Sequence, residues 1–167
     1  MLLFGVGLAL AAVPLAPGQS VEPLSYFIGT WSVVSTDPGG GDELRVCYSI
    51  QPFVRHKWLS GVAISSTTGV GSKDVWGRDD ASGELFRTIF DASGTYALVR
   101  SPGWKGETLV LEGDARSGGG TMQVRETIQR LSGNKFKATW EALRGGKWSV
   151  YAIESATRVA NGKCSTS

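Results

Sequence analysis

From Gly29 onward, apolar and polar side chains alternate in runs of about seven residues, and no stretch repeats with a helical period. Runs at 30–36, 43–51, 57–65, 73–78, 84–90, 95–101, 107–113, 121–131, 136–143 and 147–157 read as strands. Between them lie segments rich in Gly, Asp and Ser at 37–41, 79–83, 91–94, 117–120, 132–135 and 144–146. Such segments supply the positive backbone angles that tight hairpins require. About ten hairpin-linked strands make an antiparallel meander, and a sheet of that length curls and hides its edges by closing. The pattern therefore predicts an all-β chain. It is expected to form a single up-and-down antiparallel barrel of about ten strands, preceded by a short helical turn.

Where alternation is clean, it separates two faces. Leu44, Val46, Tyr48 and Ile50 share one side of their strand, and Met122, Val124 and Ile128 share one side of theirs. In a barrel of eight to ten strands the apolar side fills the interior or lines a space for one small ligand. Around Trp58, Phe86 and Trp148 the strands are apolar on both faces, so the pattern leaves their orientation open.

The N-terminus has a different character. Residues Met1 to Pro17 carry no charge, and the run from Leu2 to Val13 is apolar but too short to span a membrane. With small residues at 16–18 it reads as a secretory signal peptide, although no Lys or Arg precedes it. Residues 1–18 are thus assigned to export and 19–167 to the barrel domain, in a secreted or periplasmic protein. Cys47 and Cys164 are the only cysteines. In an oxidising compartment they form one bridge that closes nearly the whole domain. The alternative is a buried Cys47 and a Cys164 in a frayed tail.

Composition removes several function classes. The 167 residues carry a net charge of +2, too small for a dedicated nucleic-acid or anionic-membrane binder. One His and two Cys do not supply a protein zinc site, and no metal or cofactor is expected. The single His56 has no Gly-x-Ser-x-Gly partner motif and reads as a solvated loop residue. The Gly-rich runs lack the strand-to-helix setting of a phosphate cradle.

Polar groups on apolar faces are the informative exceptions. Glu126 sits among Met122, Val124 and Ile128, while Arg100 follows Tyr96 and Leu98 on one face. A lone buried charge is costly, so each needs a partner or solvent. The expectation is that Arg100 and Glu126 meet inside the cavity and orient the polar end of a ligand. Tyr96 then adds a hydroxyl, and Trp58, Trp76, Phe90 and Trp140 form apolar walls. The competing arrangement places both charges at strand ends in water, with the aromatics filling the core.

The segment 24–31, ending Gly29-Thr30-Trp31, resembles the opening of the calycin barrels, which include lipocalins, fatty-acid-binding proteins and nitrobindins. The resemblance implies that Trp31 closes the barrel floor under Arg158, both as structural residues. A haem role like that of nitrobindins is not implied, because 147–158 contains no His. Cys47-Tyr48-Ser49-Ile50, Trp58-Leu59-Ser60-Gly61, Asp74-Val75-Trp76-Gly77-Arg78-Asp79 and Ala138-Thr139-Trp140-Glu141 resemble a narrower group. That group comprises small, often secreted bacterial barrel proteins of unknown function, and the likeness runs from about Leu24 to Arg158. The leading functional expectation is an exported barrel that binds a small, largely apolar molecule, with neither nucleic acid nor membrane as partner. One alternative is a cavity enzyme of isomerase or decarboxylase type using Glu126 or Tyr96 as acid or base. Another is a filled barrel that contacts a protein through an exposed Trp104 in the loop 102–106.

Overall fold

In the computed structural model the described residues are 22–160, apart from 42, 55, 56 and 67, together with 162 and 164. The segment 1–18, expected from the sequence to direct export, and His56 lie outside them. A 3-10 turn, Glu22–Phe27, leads into β1 (Gly29–Thr36), β2 (Leu44–Phe53), β3 (Trp58–Ser65), β4 (Gly71–Arg78), β5 (Leu85–Asp91) and β6 (Tyr96–Ser101). The two-residue β7 (Trp104–Lys105) precedes β8 (Thr108–Ser117), β9 (Gly120–Ser132), β10 (Lys135–Arg144) and β11 (Lys147–Arg158). Neighbours pair antiparallel in the order β6-β5-β4-β3-β2-β1-β11-β10-β9-β8-β7, and a β6–β8 ladder closes the ring. Ten strands therefore form a closed barrel with β7 as an extra strand beside β8. No helix among the described residues is long and apolar enough to cross a membrane.

Local chemistry explains the short connections. Arg144 pairs with Lys147, leaving only Gly145 and Gly146 between them, at φ of 56° and 77°. Two consecutive positive angles define the hairpin turn whose twist matches the flanking strands, and glycine adopts them without Cβ strain.

One end of the barrel is plugged. Trp31 is fully buried, and its indole N–H donates to the Phe27 carbonyl at 2.8 Å. Arg158, its partner across the β1–β11 ladder, lies 4.1 Å over the Trp31 ring. The same guanidinium donates to the carbonyls of Tyr26, at 2.6 Å, and of Ile28. Phe27 stacks on Trp76 at 5.0 Å and on Trp104 at 5.8 Å, and Arg130 covers Trp104 at 3.6 Å. The expectation of an exposed Trp104 is therefore corrected. The ring is half-buried under Arg130, and its N–H donates to the Pro23 carbonyl at 2.7 Å.

Cys47 and Cys164 are joined, with their Cα atoms 5.6 Å apart. Cys47 points outward from β2, opposite Ser32 of β1, so the bridge fixes the C-terminal tail to the outer wall. A disulfide of this kind fits an extracellular or periplasmic location.

Candidate functional site

The opposite end of the barrel is open, and its interior carries charge. Inward positions along β2, β4, β5 and β9 bring together Tyr48, Asp74, Arg87 and Glu126, with exposures of 7, 1, 8 and 2%. Arg87 is the hub. Its Nε donates to Asp74 Oδ2 at 2.8 Å, and one terminal nitrogen lies 2.7 Å from the same oxygen. The other terminal nitrogen donates to Glu126 Oε1 at 2.6 Å. Tyr48 donates its hydroxyl proton to Asp74 Oδ2 and accepts from Trp76 Nε1 at 3.0 Å. The guanidinium also lies 4.4 Å over the Trp76 ring, a cation–π contact that ties the network to the plugged end.

Gly61 makes this cluster possible. A Cβ there would sit 1.9 Å from Asp74 Oδ1 and 2.7 Å from the Tyr48 ring, so only a glycine lets the two side chains meet. Two acceptor atoms in the network are buried without a partner, Asp74 Oδ1 and Glu126 Oε2.

Above the network two adjoining pockets of about 300 and 280 Å³ open toward the mouth. They share Ser72, Arg87, Asp91 and Glu154. The first is walled by Val33, Val46 and Ala63, the second by Ala97, Val124 and Trp140. A register shift between Trp140 and Glu141 leaves Tyr151 as the extra residue on β11, so that Tyr151 and Ala152 both reach the second pocket. A larger recess, about 510 Å³, lies on the outer wall beside Arg100 and Pro102. Its charged side chains are exposed, and Arg100 lies 3.8 Å from Glu84 there, so it lacks the desolvated charges that give the interior its chemistry.

Burial sets the protonation of these groups. Loss of hydration raises the Glu126 pKa from 4.5 to about 7, against the pull of Arg87 and with help from Glu154. Burial also raises Glu154, which Arg87 and the Trp140 indole partly offset. Tyr151 is pushed to about 12, first by burial and then by the nearby Glu126 and Glu154. Arg87 is raised well above its ordinary value: burial opposes its charge, but Glu126, Tyr48 and Asp74 together prevail.

The Glu126 shift has a measurable consequence. Its folded pKa lies above its unfolded value, so the native state binds more protons between pH 4.5 and 7. Stability contributed by this group is present below pH 4.5 and is lost as pH rises through 7. The loss is at most about 3 kcal/mol, at 1.36 kcal/mol per unit. Glu126→Gln is expected to flatten this slope, leaving the contribution of the same sign from Glu154. Urea midpoints at pH 5, 6, 7 and 8 check it, and an unchanged slope would show that Glu126 is hydrated.

Of the residues singled out by sequence, the barrel interior holds Glu126, Trp140 and Trp76. The expected meeting of Arg100 and Glu126 does not occur. Arg100, Tyr96, Phe90 and Trp58 all point outward. Arg100 pairs with Asp79 at 3.1 Å, where water solvates both charges. Phe90 packs on Tyr96 at 5.6 Å, and Trp58 lies against Phe86 and over Gly77. The partner that Glu126 requires is Arg87, which the sequence reading passed over together with Asp74 and Glu154. Among the described residues no group of three or more His, Cys, Asp or Glu is arranged to hold a metal ion.

No known protein family and no curated protein matches the chain. Among solved structures it is similar to a redesigned β-barrel, mFAP1, bound to DFHBI. That match has 18% identity over 80% of this chain and 95% of the other, with a TM-score of 0.41. It is also similar to EF1p2_mFAP2b bound to DFHBI, with 15% identity over 84% of this chain and 100% of the other and a TM-score of 0.43.

Proposed function

We propose that this chain is an exported carrier barrel of the calycin type, akin to small secreted bacterial barrels. In this reading the open-end cavity holds one small, largely apolar molecule. The observation that carries it is the Arg87–Asp74–Glu126 network at the base of two apolar-walled pockets. An apolar core of equal volume is usually as stable as a buried ion pair or more so, which makes charge retained beneath a cavity more economical as a ligand anchor than as a staple. Pockets lined by apolar groups with a few convergent polar atoms are the usual form of small-molecule sites. In this reading Trp140 is a wall, and Glu126, which lines neither pocket itself, acts through Arg87, the partner that the sequence expected in Arg100.

Native mass spectrometry of the chain secreted by an exporting host tests this reading. The expected result is a chain beginning near Gln19, two hydrogens light, carrying a reproducible small adduct. Ala152→Trp, which fills one pocket, is expected to lose the adduct while keeping the disulfide and the β-sheet spectrum. A bare chain whose tryptophan emission is also indifferent to a panel of small apolar probes would overturn it. The enzyme alternative is favoured by one observation, a Glu126 poised near neutrality. It predicts that Glu126→Gln abolishes turnover of an identified ligand without loss of affinity.

A further inference from the structure

The charges around the cavity do not balance. Arg87 is the cation of the network, against the carboxylates of Asp74, Glu126 and Glu154, with Asp91 at the mouth. Three of its five N–H groups are hydrogen bonded, Nε to Asp74, one terminal nitrogen to Tyr48 at 3.3 Å and the other to Glu126, and the first terminal nitrogen also lies 2.7 Å from Asp74. An anionic ligand would have to share Arg87 with these partners and sit beside two further carboxylates. What the site has in excess is acceptors. Glu126 Oε2 is buried and unpartnered inside the barrel, and Glu154 lines both pockets. Trp140 and Tyr151, with ring centres 6.4 Å apart, place two aromatic rings in the same pocket. Carboxylates beside aromatic faces in a desolvated recess form a receptor for an organic cation. Each pocket is at the lower end of the usual range for ligand sites, roughly 300–1,000 Å³, so the guest is small.

We infer that the ligand is a small organic ammonium ion, its charged head on Glu154 with Glu126 behind it and its apolar body against Trp140 and the Val124 wall. This inference rests on the carrier reading and specifies its ligand class. The test compares three probes of one shape by calorimetry on the disulfide-bonded protein: 2-phenylethylammonium, 2-phenylethanol and phenylacetate. At pH 8 the ammonium is expected to bind at least about tenfold more tightly than the alcohol, with phenylacetate weakest, since one desolvated ion pair is worth a tenfold step or more. Glu154→Gln is expected to bring the ammonium down to the affinity of the alcohol without lowering the unfolding midpoint, since at pH 8 it removes a buried charge.

A pH series supplies a second reading that needs no variant. Glu126 faces Arg87 on β5, Asp74 on β4, Tyr48 on β2, Trp140 on β10 and Glu154 and Tyr151 on β11. As Glu126 ionises around pH 7, ammonium affinity is expected to rise between pH 6 and 8 while alcohol affinity stays level. Equal binding of alcohol and ammonium, insensitive to Glu154→Gln and pH, overturns the cation preference but leaves the carrier reading standing. Tighter binding of phenylacetate overturns it in favour of an anion site at Arg87. Failure of all three probes at millimolar concentration overturns it together with the carrier reading whenever the secreted chain also carries no adduct.

Discussion

Replacing Arg87 by methionine is expected to destabilise the barrel by about 3–5 kcal/mol, the usual cost of leaving buried charge uncompensated. Methionine approximates the length of the arginine stem, so the volume lost is small, and the effect is chiefly electrostatic. Without the guanidinium, Asp74 and Glu126 face each other in a desolvated interior with Glu154 close by. The remedy left to Glu126 and Glu154, both already raised by burial, is to take up protons. The variant is therefore expected to be least stable at pH 8 and to recover part of the deficit at pH 5, where protonation of Glu126 lowers the charge of the cluster. Adding Asp74→Asn and Glu126→Gln to Arg87→Met is expected to restore part of the loss at pH 8. The effects will not add, because all three side chains share one network. Guanidinium denaturation of the parent protein, the single variant and the triple variant at both pH values is the measurement. A deficit below about 1 kcal/mol, of the size seen for exposed pairs, would mean that water reaches the network and that the interior is more polar than its burial indicates.

That network also marks the limit of what the sequence made readable. The strand count, the turns and the closed barrel follow from alternation and from glycine placement, because a closed barrel imposes period two on every strand. Glu126 was recognisable because its strand has a polar outer face, Gln123, Arg125, Thr127 and Gln129, which makes one inward carboxylate stand out. On β5 and β6 the outer face carries Phe86, Phe90, Tyr96 and Leu98, so both faces are apolar and alternation has no sign. Alternation therefore groups Arg100 with Tyr96 and Leu98 without saying which way that face points, and it gives Arg87 no distinguishing mark. A signal did exist in the β4–β5 hairpin. Arg78 pairs with Leu85 across its turn, which sets Trp76 opposite Arg87. Once Trp76 is placed inside, register alone places Arg87 inside beside it. The role of Gly61 is harder to foresee, since it depends on a three-way approach of Tyr48, Asp74 and the β3 backbone. Trp104 departs from the sequence expectation for a related reason. The Pro102-Gly103 step looks like a solvent-exposed tip, yet β7 turns the indole back under Arg130.

Removing the disulfide, by Cys47→Ser with Cys164→Ser, is expected to cost about 4–5 kcal/mol. The figure follows from a sequence separation of 117 residues, since the bridge denies the unfolded chain the freedom of a loop that long. The native barrel itself is expected to change little, because Cys47 faces outward from β2 and the bridged tail lies outside the interior. The cost should therefore appear as a shift in the denaturation midpoint together with a steeper denaturant slope, because the unlinked chain unfolds into a more extended ensemble. Coincident midpoints for the oxidised protein and the double serine variant would show that the tail contributes no constraint. A loss of about 4 kcal/mol multiplies the unfolded population by roughly a thousand, at 1.4 kcal/mol for each factor of ten. Domains of this size are held by only about 5–15 kcal/mol in all. The same barrel in a reducing compartment would thus keep its fold but surrender a large part of its margin. The cavity would suffer first, because its buried carboxylates already draw on that margin as pH rises toward 7.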